Sequence, residues 1–392
     1  MIYLDNHSTT PMDPRVLEAM IPFLTTQFGN AASTHHAYGR EAEKAVEKSR
    51  AQVAALIGAD PDEIIFTGSA TESNNLALKG TAEVFQEKGR HFITQVTEHK
   101  SVLEALKEIE KKAFQGTWLK VDQTGRIEIE DLKKAAGPGT ILISIMFANN
   151  EIGTIQPIEA IGKFAKERGI FFHVDAAQAA GKIPIDVEKL GLDLLSFSAH
   201  KMYGPKGIAA LYLRKKNPRV RIHPLFHGGG QEKNLRSGTL NVPGIVGFGK
   251  ACALAQAEME KDAQRIRMLK DRLFQQLEKG LGGVFLNGGL EHRLNHNLNI
   301  SFAGVDTQSL LEGLTEKIAV STGSACTTEI PEPSYVLKAL GIPEERIHTS
   351  IRFGLGKFTT EGEIDETIRH VSTVVRRLRK ASPFTAIDKI EH

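Results

Sequence analysis

The segment SFSAHKMYGPKG, residues 196–207, runs from a buried-strand pattern into a polar turn carrying Ser198, His200 and Lys201. A lone lysine in such a turn is most often a solvated loop residue. At a strand end it instead holds a fixed position, which suits an amine that forms a Schiff base, with Ser198 and His200 able to donate to an adjacent phosphate. In HVDAAQ, Asp175 closes a second apolar strand. An aspartate there could cap the next helix or bind a metal with His173. Beside Lys201 it suits the partner of a protonated ring nitrogen, the electron sink for charge at a substrate α-carbon, and Gln178 could donate to the ring hydroxyl. The run EIIFTGSATESNN passes through Gly68 and Ser69 into a helical pattern beginning near Thr71. Backbone N–H groups at a helix start bind anions, and the Thr71 hydroxyl adds a donor. Lysine, acid and phosphate cradle together point to pyridoxal 5'-phosphate.

Weaker signals surround this set. His99, in TQVTEHKS, follows a strand pattern and starts a helix; it could stack on a flat ring, although capping is the commoner fate. FANNEIG places Asn149, Asn150 and Glu151 after a buried strand, where ligands of open α/β sheets sit. Arg352, in HTSIRFGLG, offers a planar two-pronged donor to a substrate carboxylate, or else a structural salt bridge. Cys326 lies in STGSACTTE, a run with the composition of a mobile loop, whereas Cys252 sits in the helical GKACALAQAEM and reads as buried filler. A free thiol has a pKa of about 8.5, so Cys326 would need a cationic site to become thiolate.

The elements that must position these residues alternate. Apolar, β-branched runs at 63–68, 91–96, 117–121, 141–147, 170–175, 192–198 and 208–213 are separated by amphipathic stretches such as REAEKAVEKSRAQVAALIG. This punctuation predicts an α/β fold, a mostly parallel sheet covered by helices. After about residue 250 a long helical stretch leads into short strand runs and further helices, a smaller α+β unit. The expected division is a large domain over 13–257, with 1–12 and 258–392 forming a small domain that carries the Cys326 loop.

At 392 residues, 41% hydrophobic and 24% charged, the chain has material for two soluble domains. Lys and Arg number 49 against 47 acidic residues, which gives no field for nucleic acid or an anionic membrane. MIYLDNHSTTP lacks the basic flank and apolar run of about 7 to 15 residues of a signal peptide. With two cysteines in unlike surroundings, a reducing, cytoplasmic setting is expected.

Taken in order, YLDNHSTTP, FGNAASTHHAYGRE, ATESNN, TEHKSVL, NNEIGTIQPI, HVDAAQAAGKIPIDV, FSAHKMYGPKG, GGGQEKNLRSGTLNV, STGSACT, EPSYVLKALG and SIRFGLGKFTTEGEID resemble the cysteine desulfurases of the iron–sulfur-cluster assembly and nitrogen-fixation type. These lie within the class V aminotransferases of fold type I pyridoxal-phosphate enzymes, and the likeness spans nearly the whole chain. It implies Lys201 as the Schiff-base lysine, Asp175 on the pyridine nitrogen, Gln178 on the ring hydroxyl and His99 stacked on the ring. It implies that Ala70, Thr71, Ser198 and His200 hold the cofactor's phosphate end. Thr239 would reach across from a second subunit, making a homodimer. Asn150 and Arg352 would orient the carboxylate of L-cysteine. Cys326 would take the sulfur as a persulfide, releasing L-alanine, and pass it to a protein acceptor such as a cluster scaffold.

Residues 327 to 335 separate Cys326 from the end of the PSY segment, the spacing of the long-loop branch. His7 and Ser8 stand where Asn-Ala is commoner, GSATE inverts the usual Ser-Gly order, and Ala199 replaces a glycine. The tail SPFTAIDKIEH stops short of the extension that related enzymes use for scaffold docking, which counts against that route. A selenocysteine lyase or other β-elimination enzyme on the same scaffold, and a non-catalytic sulfur relay, are the alternatives.

Overall fold

Apolar runs buried on both faces form the central sheet. The computed structural model describes residues 1–217, 219–322 and 333–381. Its strands are β1 (Ile2–Tyr3), β2 (Ile64–Thr67), β3 (His91–Gln95), β4 (Gln115–Leu119), β5 (Thr140–Ser144), β6 (Phe171–Asp175), β7 (Leu194–Ser198), β8 (Ala209–Leu213), β9 (Val284–Leu286), β10 (Asn297–Phe302), β11 (Ile318–Ala319) and β12 (Ser350–Gly354). Each of the seven predicted runs supplies one strand of a sheet ordered β2-β8-β7-β6-β5-β3-β4. All pairings are parallel except those of β8, which is antiparallel to both β2 and β7.

The pleat sorts side chains by parity. Phe171 and Leu194 enter one apolar cluster, while Phe172 and Leu195 enter the cluster on the opposite face. Both faces are therefore dry, and these strands read as continuous apolar runs rather than alternating ones. The edge strand β4 is mostly part-exposed, as its polar beginning Gln-Gly-Thr requires.

Because β2, β3, β5, β6 and β7 run the same way, their C-terminal ends lie along one edge, where crevices of open α/β sheets form. The helix Ala70–Phe85 starts at that edge; Ser69 caps it by accepting from the Glu72 N–H at 3.1 Å. The helix Lys100–Glu110 starts there too, capped by His99.

The long helix Val242–Leu281 serves two cores. Ile245, Phe248 and Cys252 pack into the cluster beneath the large sheet, whereas Ile266, Leu269, Leu273 and Leu277 pack with Leu298, Ile300, Phe302 and Phe353 of a second cluster. That second cluster is built on the antiparallel sheet β12-β10-β9 and the helix Glu361–Ala381. The N-terminus joins it, with β1 pairing β11 and Leu4 buried within it. Cys252 is fully buried, and burial pushes its thiol well up. Among the described residues no helix is long and apolar enough to cross a membrane.

Candidate active site

A cavity of about 370 Å³ opens at the strand-end edge. Its wall contains Ala70, Thr71, His99, Asn150, Asp175, Gln178, Ser198, His200, Lys201 and Arg352. Asn149 and Glu151, singled out beside Asn150, do not line it. Thr239 is exposed and does not line this chain's cavity, while Cys326 lies outside the described residues.

Lys201 closes the short 3-10 turn Ala199–Lys201 after β7. Its amine donates to the backbone oxygens of His7 and Ser8, the latter at 2.7 Å. Burial, reinforced by the Arg352 charge, brings this amine down to about 8. A neutral amine, the form that attacks a carbonyl, is thus far more accessible than in a solvated lysine.

Asp175 sits at the end of β6 and is fixed from two sides. Its Oδ1 accepts from the Ala177 N–H at 2.9 Å, and its Oδ2 accepts from Asn74 Nδ2 at 2.7 Å. It caps no helix, and among the described residues no cluster of His, Cys, Asp or Glu is placed to hold a metal ion. His173, its sequence neighbour on the same strand, is spanned instead by the hydroxyls of Ser144 at 2.8 Å and Ser196 at 3.0 Å, and burial lowers it to about 3.

His99 caps its helix and also lines the cavity. Its Nδ1 accepts from the Ser101 N–H at 3.1 Å, capping the helix, while the ring lines the cavity. With Nδ1 accepting and burial lowering its pKa, the ring is neutral and its proton sits on Nε2. Asn74 Nδ2 also donates to Ser101 Oγ at 2.8 Å, so Asp175, Asn74, Ser101 and His99 form one bonded chain. Neither Asn74 nor Ser101 was assigned a role from sequence. Asn74 follows Thr71 by three positions, a spacing that places both on one helical face and could have revealed it. Ser101 has no such signal.

Arg352, on β12, makes the structural bridge and also borders the cavity. It is salt-bridged to Asp5 at 2.7 Å, donates to the Asn150 backbone oxygen at 2.9 Å, and still lines the cavity. Its Nε and the Asn150 side-chain oxygen are buried and find no partner among the described residues. The Ser198 hydroxyl is in the same condition. A buried polar group left unpaired costs about 1–3 kcal/mol, which marks these atoms as awaiting a ligand.

The arrangement fits pyridoxal phosphate. An unpartnered Ser198 hydroxyl stands with the free backbone N–H groups of the helix starting at Ala70, an anion site. An anchored carboxylate and a half-buried amine of lowered pKa complete the set that cofactor needs.

Residues 2–367 match the family model described as Aminotransferase class-V. The chain belongs to that family. Within it the chain is 54% identical over 383 residues to the Cysteine desulfurase IscS of Anaeromyxobacter sp. (strain K), covering 98% of this chain and 94% of the relative. Among solved structures it resembles a NifS-like protein, with a TM-score of 0.90, 41% identity and coverage of 96% and 99% of the two chains. It also resembles SspA in complex with cysteine, with a TM-score of 0.80, 38% identity and coverage of 92% and 100%. The chain is therefore a class V aminotransferase-family enzyme of the pyridoxal-phosphate-dependent kind, grouped with the cysteine desulfurases.

Proposed function

We propose that this enzyme removes sulfur from L-cysteine, leaving L-alanine and a persulfide on Cys326. The observation that carries the reading is one cavity holding the Lys201 amine, the anchored Asp175 carboxylate and the unpartnered Ser198 hydroxyl at a helix start. The relatives named as cysteine desulfurases, and the neighbour solved with cysteine, supply the substrate class.

Bound here, pyridoxal phosphate supplies an electron sink for charge developing at the substrate α-carbon. Thr71, Ser198 and His200, with the backbone at Ala70, hold its phosphate end. Asp175 would keep the proton on the ring nitrogen, Gln178 would donate to the ring hydroxyl, and His99 would face the ring. Arg352 and Asn150 take the carboxylate of L-cysteine and fix the α-carbon toward Lys201. The Lys201 amine, neutral above its pKa of about 8, accepts the α-proton. The Cys326 thiolate attacks the substrate sulfur; the carbon–sulfur bond breaks, a sulfur–sulfur bond forms, and the carbon skeleton takes up protons to leave as L-alanine. Cys326 follows Ser321, a cavity-lining residue, by five positions, and such a stretch reaches at most about 18 Å.

Thr239 completes the phosphate site from a second copy of the chain, so the working unit is a homodimer. Its exposure, and that of Phe226 on the same connection, supports this. The persulfide passes to a protein acceptor of the cluster-scaffold kind in the cytoplasm. The change of cluster along the helix Val242–Leu281 supports dividing the chain into 13–257 and the remainder.

The test is colour and product together. The purified enzyme should show a visible band that borohydride bleaches and that Lys201→Ala lacks. It should release alanine from L-cysteine, and Cys326→Ala should abolish sustained turnover. A colourless protein, or full turnover in Cys326→Ala, would overturn the reading.

A further inference from the structure

His7, set apart in the sequence only as a departure from the commoner asparagine, is the hinge of a buried chain of directed hydrogen bonds. It is 1% exposed and its ring stacks on that of His296 with centroids 4.5 Å apart. On one side its Nδ1 lies 2.9 Å from Gln178 Oε1, and Gln178 Nε2 donates to the His7 backbone oxygen at 3.0 Å. On the other side its Nε2 lies 3.0 Å from Asn297 Nδ2.

The directions are forced from both ends. A backbone oxygen only accepts, so the nitrogen of the Gln178 amide must face the His7 carbonyl. Its oxygen then faces His7 Nδ1, which must carry the proton. Independently, Arg293 NH1 donates to Asn297 Oδ1 at 3.0 Å, and Asn297 Nδ2 donates to the Glu151 backbone oxygen at 3.1 Å. A guanidinium only donates, so Asn297 must present N–H to His7 Nε2, which must accept. Both ends demand the same neutral tautomer. A reversed Gln178 amide would set oxygen against oxygen at the His7 carbonyl and N–H against N–H at the ring.

We propose that His7 is a positioning residue: held as the Nδ1–H tautomer, it locks the Gln178 amide so that an N–H is what Gln178 offers the cofactor ring. Of the two N–H groups on Gln178 Nε2, one is committed to His7, which leaves the second for the cavity that Gln178 lines. The relay Arg293, Asn297, His7, Gln178 thereby ties the antiparallel sheet, through Asn297 of β10, to the strand-end edge of the large sheet. The inference deepens the reading of Gln178 as the ring-hydroxyl partner and rests on it.

The first test uses nitrogen NMR of the histidine-labelled apoprotein at neutral pH, with His7 assigned by its loss in His7→Asn. Nδ1 should resonate as a protonated, pyrrole-type nitrogen and Nε2 as a pyridine-type one. The Nε2–H tautomer or an imidazolium would overturn the relay, whatever Gln178 does. The second test is the dissociation constant of pyridoxal phosphate. Asparagine can donate with its nitrogen and accept with its oxygen, so His7→Asn should stay within about twofold of the parent. His7→Leu should weaken binding about tenfold, the scale of one directed hydrogen bond. Parent affinity and an unshifted visible band in His7→Leu would overturn the proposal. Parent affinity in Gln178→Leu, with the predicted tautomer intact, would instead overturn the role of Gln178, and His7's positioning role with it.

Discussion

Arg352 donates to the Asp5 carboxylate at 2.7 Å, and the same nitrogen reaches the Ser8 hydroxyl at 2.9 Å. The guanidinium is thus clamped by the N-terminal segment while its Nε remains unpaired. A clamped planar donor is preorganised for a carboxylate, and an ammonium is not an equivalent. Arg352→Lys should raise the KM for L-cysteine by about tenfold or more with a smaller change in kcat, read from steady-state alanine release. An unchanged KM would restrict Arg352 to its structural bridge.

The same N-terminal carboxylate bears on Lys201, whose amine is lowered to about 8 from the ordinary 10.5 by burial and by Arg352, against the pull of Asp5. Below about 8 the amine is charged in the fold at a desolvation cost. Between about 8 and 10.5 the folded amine is neutral while the unfolded one is still protonated. The unfolded state then binds more protons, so this group's contribution to apoprotein stability rises with pH across that window. The rate of cofactor incorporation into apoprotein should climb with a midpoint near 8. Asp5→Asn should move that midpoint down, and a midpoint near the ordinary lysine value would contradict the account.

Asn74 donates from one nitrogen to both Asp175 and Ser101. Removing it in Asn74→Ala should leave L-cysteine KM nearly unchanged and lower kcat about tenfold, because the carboxylate and the His99 cap lose a shared anchor. Asn74→Asp, which sets a second carboxylate beside Asp175, should also shift the visible band. A loss confined to KM would separate Asn74 from Asp175.

How much of this was legible follows from where the information lies. The seven strands of the large sheet and the residues at their ends, Asp175 and Lys201 among them, were readable. A dry parallel strand is a continuous apolar run, and the polar residue that ends it stands where ligands bind. The partners of those residues were not. His7 meets Gln178 across 171 positions and Asn297 across 290, and no local pattern records such pairs. His99 and Arg352 were each read as one of two things, cap or ring partner, bridge or clamp. The folded chain shows the cap and the bridge, and leaves both side chains on the cavity wall.

Away from the cavity, Arg50 holds both oxygens of Glu232 at 2.8 Å, and Glu232 also accepts from the Phe66 N–H at 2.7 Å on strand β2. Both side chains are buried. Arg50→Met strands a buried carboxylate and should cost about 3–5 kcal/mol in urea unfolding. The double variant Arg50→Met with Glu232→Gln should recover much of that loss; if it did not, the pair would be incidental to stability.

The most direct measurement incubates the enzyme with sulfur-labelled L-cysteine, then maps the protein by mass spectrometry while counting alanine. The account predicts one labelled, reductant-removable sulfur atom on Cys326, none on the buried Cys252, and one alanine per sulfur transferred. Free sulfide with pyruvate and ammonia, and no label on Cys326, would contradict it and make this a β-elimination enzyme on the same fold.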